Sequence, residues 1–181
     1  MSYYSNFGTH KVVEVNQSTG LRTGHMVAQT PFLKNSLDGE GLDNGYILAL
    51  SSTADELVLA ASDAKHIFMH FTEEHMPVLG RSAGLKYFTV PYIKGADEDG
   101  KEDYCYPRAI ALYTNDTWTT DNFKGDLPAA GELAWATVEE GQLKIVEVGE
   151  DPLTGHVFKV VATTLPDAVT PAGQFTYLGN L

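Results

Sequence analysis

This sequence predicts a mainly β fold, an antiparallel β-barrel or sandwich with short hairpins and little helix, and three observations carry that expectation. Short β-prone runs recur along the chain, among them Tyr46 to Leu50, Ala109 to Tyr113 and Leu143 to Val148. Turn signals interrupt them at intervals of roughly 8–12 residues, the spacing of all-β sandwiches and barrels. The interruptions are acidic and glycine-rich: Asp38-Gly39-Glu40-Gly41, Asp43-Asn44-Gly45, Asp97-Glu98-Asp99-Gly100, Glu139-Glu140-Gly141 and Gly149-Glu150-Asp151-Pro152. Gly, Asn and Asp tolerate positive φ or bond their own backbone, which is what a tight connection between strands requires.

Residues 1–24 read as an N-terminal arm or extended segment, and 25–181 as a single β-rich domain. The arm carries one strand-like run, His10 to Val15, with Asn16 to Gly20 after it as a turn or linker. Tyr3, Tyr4 and Phe7 stand in a polar context with little to pack on locally, so they either dock on a partner or fold over the chain's own core. Thr53-Ala54-Asp55-Glu56 matches a capping box, which would open a helix over 54–61. Leu57, Val58 and Leu59 form a short apolar run in β-like surroundings, and strand is the preferred reading. Ile67 to Phe71 has the same ambiguous character.

Leu85 to Tyr92 follows, then the acidic segment Gly95 to Asp103, then Tyr104-Cys105-Tyr106 and Arg108 to Tyr113. Pro107 lacks a donor for a strand ladder and marks an edge or a break. Gly125 to Gly131 connects to the clearest part of the chain. There Leu133, Trp135 and Thr137 alternate with Ala134, Ala136 and Val138, and Leu143 and Ile145 alternate with Lys144 and Val146 beyond the turn. With His156 to Thr163, which places Phe158, Val160 and Ala162 on one side, these runs predict an antiparallel meander over 131–163 with Trp135 and Ile145 in one core. A small Phe175 to Leu178 run closes the chain.

With 181 residues the chain can bury roughly 70% of its unfolded surface without covalent staples. No apolar stretch approaches the ~20 residues of a membrane helix, so a soluble protein without membrane contact is expected. Twenty-four acidic residues against twelve basic ones give a net charge of −12, which repels phosphate backbones and argues against direct nucleic-acid binding. Cys105 is the sole cysteine, so no internal disulfide forms, and the polar start lacks the apolar core of a signal peptide. Asn16-Gln17-Ser18 and Asn115-Asp116-Thr117 therefore read as chance matches to the glycosylation pattern.

His66, His70 and His75, beside Glu73 and Glu74, are the strongest metal candidates. On a helix His66 and His70 would share a face and could grip zinc, but Ile67 stands where the zinc-protease motif needs glutamate. On a strand His66, Phe68 and His70 share a face as structural residues, and no metal or other cofactor is expected. The acidic loop Asp97 to Asp103 has glycine at the wrong position for a calcium loop and reads as a solvated hairpin tip. Cys105, between two tyrosines, reads as a small buried hydrophobe. No nucleophile elbow, phosphate-binding loop or dinucleotide fingerprint occurs, and no catalytic residue is assigned. Trp135 is expected in the core. Trp118, in the polar stretch Asn115 to Asn122, joins Tyr3, Tyr4 and Phe7 as a candidate interface residue.

Several passages together carry a family resemblance: Gly24-His25-Met26-Val27, the run Asp43-Asn44-Gly45-Tyr46-Ile47-Leu48-Ala49-Leu50, Leu57-Val58-Leu59-Ala60-Ala61, and Arg108 through Trp118. In their order they resemble small β-rich structural proteins of tailed bacteriophages, of the capsid decoration or head-associated class. The resemblance implies a non-enzymatic virion protein, assembled in the host cytoplasm. Its implied partners are the major capsid protein or other virion proteins, and copies of itself. Two other functions are compatible with the residues: a phage tail adhesion or carbohydrate-binding module using Trp118 and nearby tyrosines, and a metal-dependent enzyme using His66, His70 and His75.

Overall fold

The computed structural model describes residues 12–33, 41–53, 55–72, 74–78, 81–85, 89–91, 93, 103–146, 154–164 and 170–181. Two seven-stranded sheets, each curled into a half-barrel, form the mainly β fold expected from the sequence. The strands are numbered in chain order. The first sheet runs β1 (Val12–Gln17), β13 (Thr117–Thr120), β18 (Pro171–Asn180), β17 (His156–Thr164), β15 (Ala134–Glu139), β16 (Gln142–Val146) and β14 (Phe123–Lys124). The second runs β11 (Tyr104–Cys105), β3 (Phe32–Leu33), β6 (Leu57–Leu59), β5 (Ile47–Leu50), β7 (Ile67–His70), β12 (Ala109–Ala111) and β2 (Met26–Val27). Two ribbons accompany them, β4 (Gly41–Asp43) with β10 (Thr89–Pro91) and β8 (Glu74–Val78) with β9 (Arg81–Leu85). Pairing is antiparallel except where β14 runs beside β16 and β3 beside β6.

The main core lies between the two sheets. Ile47, Ile67, Met69 and Ile110 of the second sheet meet Trp118, Ala136, Leu143, Phe158, Val160 and Phe175 of the first. A second core lies on the far side of the second sheet, where Leu48, Phe68 and Ala109 meet Phe32, Cys105 and Leu42 of β4. Both faces of that sheet are therefore covered, which is why Ile47-Leu48-Ala49 and Ile67-Phe68-Met69 are apolar at every position. In the first sheet, β15 instead alternates between buried and outward residues.

The hairpin β15–β16 matches the expectation from its alternation and its glycine turn. The three-strand meander does not. β15 lies in the middle, with β16 on one side and β17 on the other. Tight turns force neighbours to pair, whereas the longer connection into β17 lets that strand cross to the free side of β15 and seat against β18. β18, expected as a small closing run, is a full-length partner of β17 from His156↔Asn180 to Thr164↔Pro171. The 57–59 segment is a strand, as preferred.

Residues 12–24, read as part of an arm, are built into the described fold. β1 pairs with β13 along the rim of the first sheet, with two register irregularities, and Val15 packs against the main core. Asn16 to Gly20, expected as a turn or linker, instead holds the end of β1, the cap Ser18 and the first residues of the short helix α1 (Thr19–Thr23). Ser18 caps it by accepting from the Leu21 amide at 3.2 Å, and Gly24 ends it at a φ of 72°. Gly20 lies directly against the Ala111 carbonyl of β12, a contact no side chain would permit. Tyr3, Tyr4 and Phe7 lie outside the described residues.

Candidate functional site

The histidines are the natural place to look for chemistry, and the fold gives His66 and His70 opposite settings. His66 is exposed ahead of β7, His70 is fully buried at its end, and the side chain of His75 in β8 lies outside the described residues. Among the described residues no three histidine, cysteine or carboxylate side chains converge as a metal set. His70 donates from Nδ1 to the Asp43 carbonyl at 2.7 Å, which leaves Nε2 to accept from the Thr72 hydroxyl at 3.0 Å. Thr72 Oγ1 in turn accepts the Arg108 amide at 3.0 Å. Burial desolvates the ring and lowers its pKa to about 4, against the opposing pull of the hydrogen bond to the Asp43 carbonyl and of the Asp43 charge. His70 is a neutral crosslink.

That crosslink belongs to a polar seam joining the sheets. Asn44 and Thr72 exchange a reciprocal pair, Thr72 N to Oδ1 at 2.7 Å and Nδ2 to the Thr72 carbonyl at 2.9 Å. Asn122 Nδ2 donates to the Asn44 carbonyl at 3.0 Å, and Gln142 Nε2 donates to Asn122 Oδ1 at 3.0 Å. The Asp43-Asn44-Gly45 turn, between β4 and β5, is thus tied to β16 and to the residue preceding β14 in the first sheet. Buried amides and hydroxyls are tolerated only when paired, so this seam acts as a register lock as much as an attachment. Gly141 sits beside it, its amide donating to the Ala60 carbonyl at 3.0 Å and its carbonyl accepting from Ile47 N at 2.7 Å.

Two further buried polar groups hold loops. His156 pairs with the Tyr177 hydroxyl through Nδ1 at 2.7 Å and donates from Nε2 to the Ala64 carbonyl at 2.6 Å, which pins β17 to the loop after β6. Burial lowers the His156 pKa and raises that of Tyr177. Asp116 accepts from Thr19 N at 2.7 Å and Tyr113 N at 3.0 Å, fixing the start of α1 to the turn before β13. Sequence reasoning singled out none of Asn44, Thr72, Asn122 or Asp116 for these roles. The Asp43-Asn44-Gly45 turn signal marked the position of Asn44, but its partners are far away in sequence. Cys105 is buried, and desolvation pushes its thiol up to about 12, as suits a small apolar residue.

Trp118 is not a contact residue. It is 1% exposed, edge-on to Phe158 at 5.7 Å and stacked with Phe175 at 6.4 Å, and its Nε1 has no hydrogen-bond partner among the described residues. The polar residues around it in sequence are turned to internal bonds, and β13 is an inner strand between β1 and β18. Trp135, expected inside, is 40% exposed. It faces outward opposite Val146 and Lys159, while the neighbouring pair Ala136↔Ile145 faces the core, so Trp135 and Ile145 do not share one.

Trp135 stands in a continuous register row across the outer face of the first sheet. The row is Val146↔Trp135↔Lys159↔Thr176↔Thr117↔Gln17. Directly paired residues project to one face, and the Thr117 and Thr176 hydroxyls bond each other at 3.1 Å. Two residues along β16 from Val146, Lys144 is held by Glu139 at 3.1 Å. Other large apolar side chains are displayed singly or in small groups: Leu133 beside Trp135, Leu21 and Met26 by α1, and Ile93 with Tyr106 near β11. No family model matches this chain, and neither a curated protein nor a solved structure shows significant similarity to it.

Proposed function

We propose that this chain is a non-enzymatic structural protein of a tailed-bacteriophage particle, of the capsid decoration or head-associated kind. It acts through contacts with the major capsid protein or another virion protein and is assembled in the host cytoplasm. The observation that carries the reading is how the described polar groups are used. His70, His156, Asp116 and Asn122 are each committed to joining one loop or sheet to another, while aromatic and aliphatic side chains are turned outward. A rigid scaffold that spends its buried polar groups on its own geometry and presents apolar anchors suits a protein that works by contact.

The class of particle comes from the sequence resemblance, and Trp118 no longer belongs among the contact residues. A metal-dependent enzyme based on the histidines loses its central ligand, since both nitrogens of His70 are occupied. Mass spectrometry of gradient-purified particles tests the proposal. The chain is expected in a fixed ratio to the major capsid protein; particles assembled without it overturn the reading.

A further inference from the structure

We infer that the outer face of the first sheet is a carbohydrate-binding platform on which a neutral pyranose stacks against Trp135. This goes beyond the particle reading and does not depend on it. A pyranose presents two chemistries at once, an apolar face of C–H groups and a rim of hydroxyls. The register row presents the complement to a glycan laid across the strands: the Trp135 indole, the half-buried Lys159 on the adjoining β17, and the Thr176 and Thr117 hydroxyls two and three strands away. An indole is large and rigid and loses little conformational freedom on contact, so one such ring anchors a weak ligand well.

The charge pattern selects a neutral sugar. The chain carries −12 overall, which repels a polyanion at long range. Near Trp135, Lys144 is already held by Glu139, leaving Lys159 as a donor to ligand oxygens. The composition of the row also disfavours a protein partner, because the centre of a protein–protein interface is depleted in lysine and built from clustered apolar anchors. Here Val146 and Trp135 are followed along the row by an ammonium, two hydroxyls and an amide.

The two tryptophans make the test direct, since Trp118 is buried and Trp135 is open to solvent. The full chain is titrated with dextran, mannan, galactan and chitotetraose, with alginate as an anionic control, while iodide quenching of tryptophan emission is followed. At least one neutral glycan is expected to shield the exposed indole saturably, and Trp135→Ala to abolish the effect with an unchanged far-ultraviolet spectrum. Trp135→Phe should retain binding about tenfold weaker, the worth of one lost stacking contact of this kind. Thr176→Ala should weaken binding without altering the quenching of the free protein. Three results overturn the inference: no neutral glycan shields the indole, alginate alone does, or shielding grows with protein concentration in the absence of sugar. The last would make this face a contact between copies of the chain.

Discussion

Trp118 and Trp135 belong to the same seven-stranded sheet and face opposite ways, the first packed between Phe158 and Phe175, the second open to solvent beside Lys159. Their substitutions should therefore differ sharply. Trp118→Ala is expected to cost about 3–5 kcal/mol, the range for emptying a large buried aromatic site, and Trp135→Ala less than ~1 kcal/mol. Trp118→Phe removes an indole N–H that has no partner among the described residues, so it should cost less than half as much as Trp118→Ala. Urea unfolding of the three variants measures all of this.

Acid should loosen the seam at His70. Its folded pKa lies near 4, below the ordinary 6.5, so the unfolded chain binds the proton first. The stability His70 contributes is complete above pH 6.5 and drains away as the pH falls toward 4. From pH 8 to pH 5 this amounts to about 2 kcal/mol, and His156 adds in the same direction. Denaturation midpoints at the two pH values are expected to differ accordingly, and His70→Gln should flatten the difference while lowering stability at pH 8.

The β15–β16 turn carries a removable strain. Glu140 and Gly141 both have positive φ, 49° and 73°, the signature of a hairpin turn in which asparagine precedes glycine far more comfortably than glutamate does. Glu140→Asn is expected to stabilise by about 0.5–1 kcal/mol, seen as a raised melting temperature. The lost contact to Lys124 is long and exposed and should not offset the gain.

Gly20→Ala tests how firmly residues 12–24 belong to the fold. A methyl group there would meet the Ala111 carbonyl and the Ile110 side chain, so α1 must lift from β12 at a cost of about 1–3 kcal/mol. Amide exchange should quicken first at His25, whose N–H reaches the Gly20 carbonyl, and at Thr19, bound to Asp116. An unchanged exchange pattern would mean that this segment is not seated on the sheet.

The sequence revealed strands far better than it revealed which way they face. Alternation in Leu133 to Val138 correctly marks a strand with two unlike faces, yet periodicity leaves open which set is inward. Size suggested Trp135, whereas Ala134, Ala136 and Val138 are the ones that fit the narrow space between the sheets. Around Trp118 the error has the opposite cause. Asp116, Thr119, Thr120 and Asn122 look like a solvated stretch, but all four are buried, and the groups that Asp116 and Asn122 bond lie in α1 and in the Asp43-Asn44-Gly45 turn. Such long-range pairings leave no local trace, which is also why the seam around His70 was read only as a histidine cluster. Where contacts are local, as at the Glu139-Glu140-Gly141 turn, the reading was sound.

The rims of the two large sheets bear on how this chain behaves when crowded. β2, β11 and β14 are two residues long, too short to recruit a further strand, and the longer β1 is interrupted by shifts in its register. Sheet ends blunted in these ways resist the edge-to-edge stacking that leads to fibrils. The chain should therefore stay dispersed at high concentration despite its abundance of strand, and copies that do meet will do so through side chains rather than by extending one another's backbone ladders.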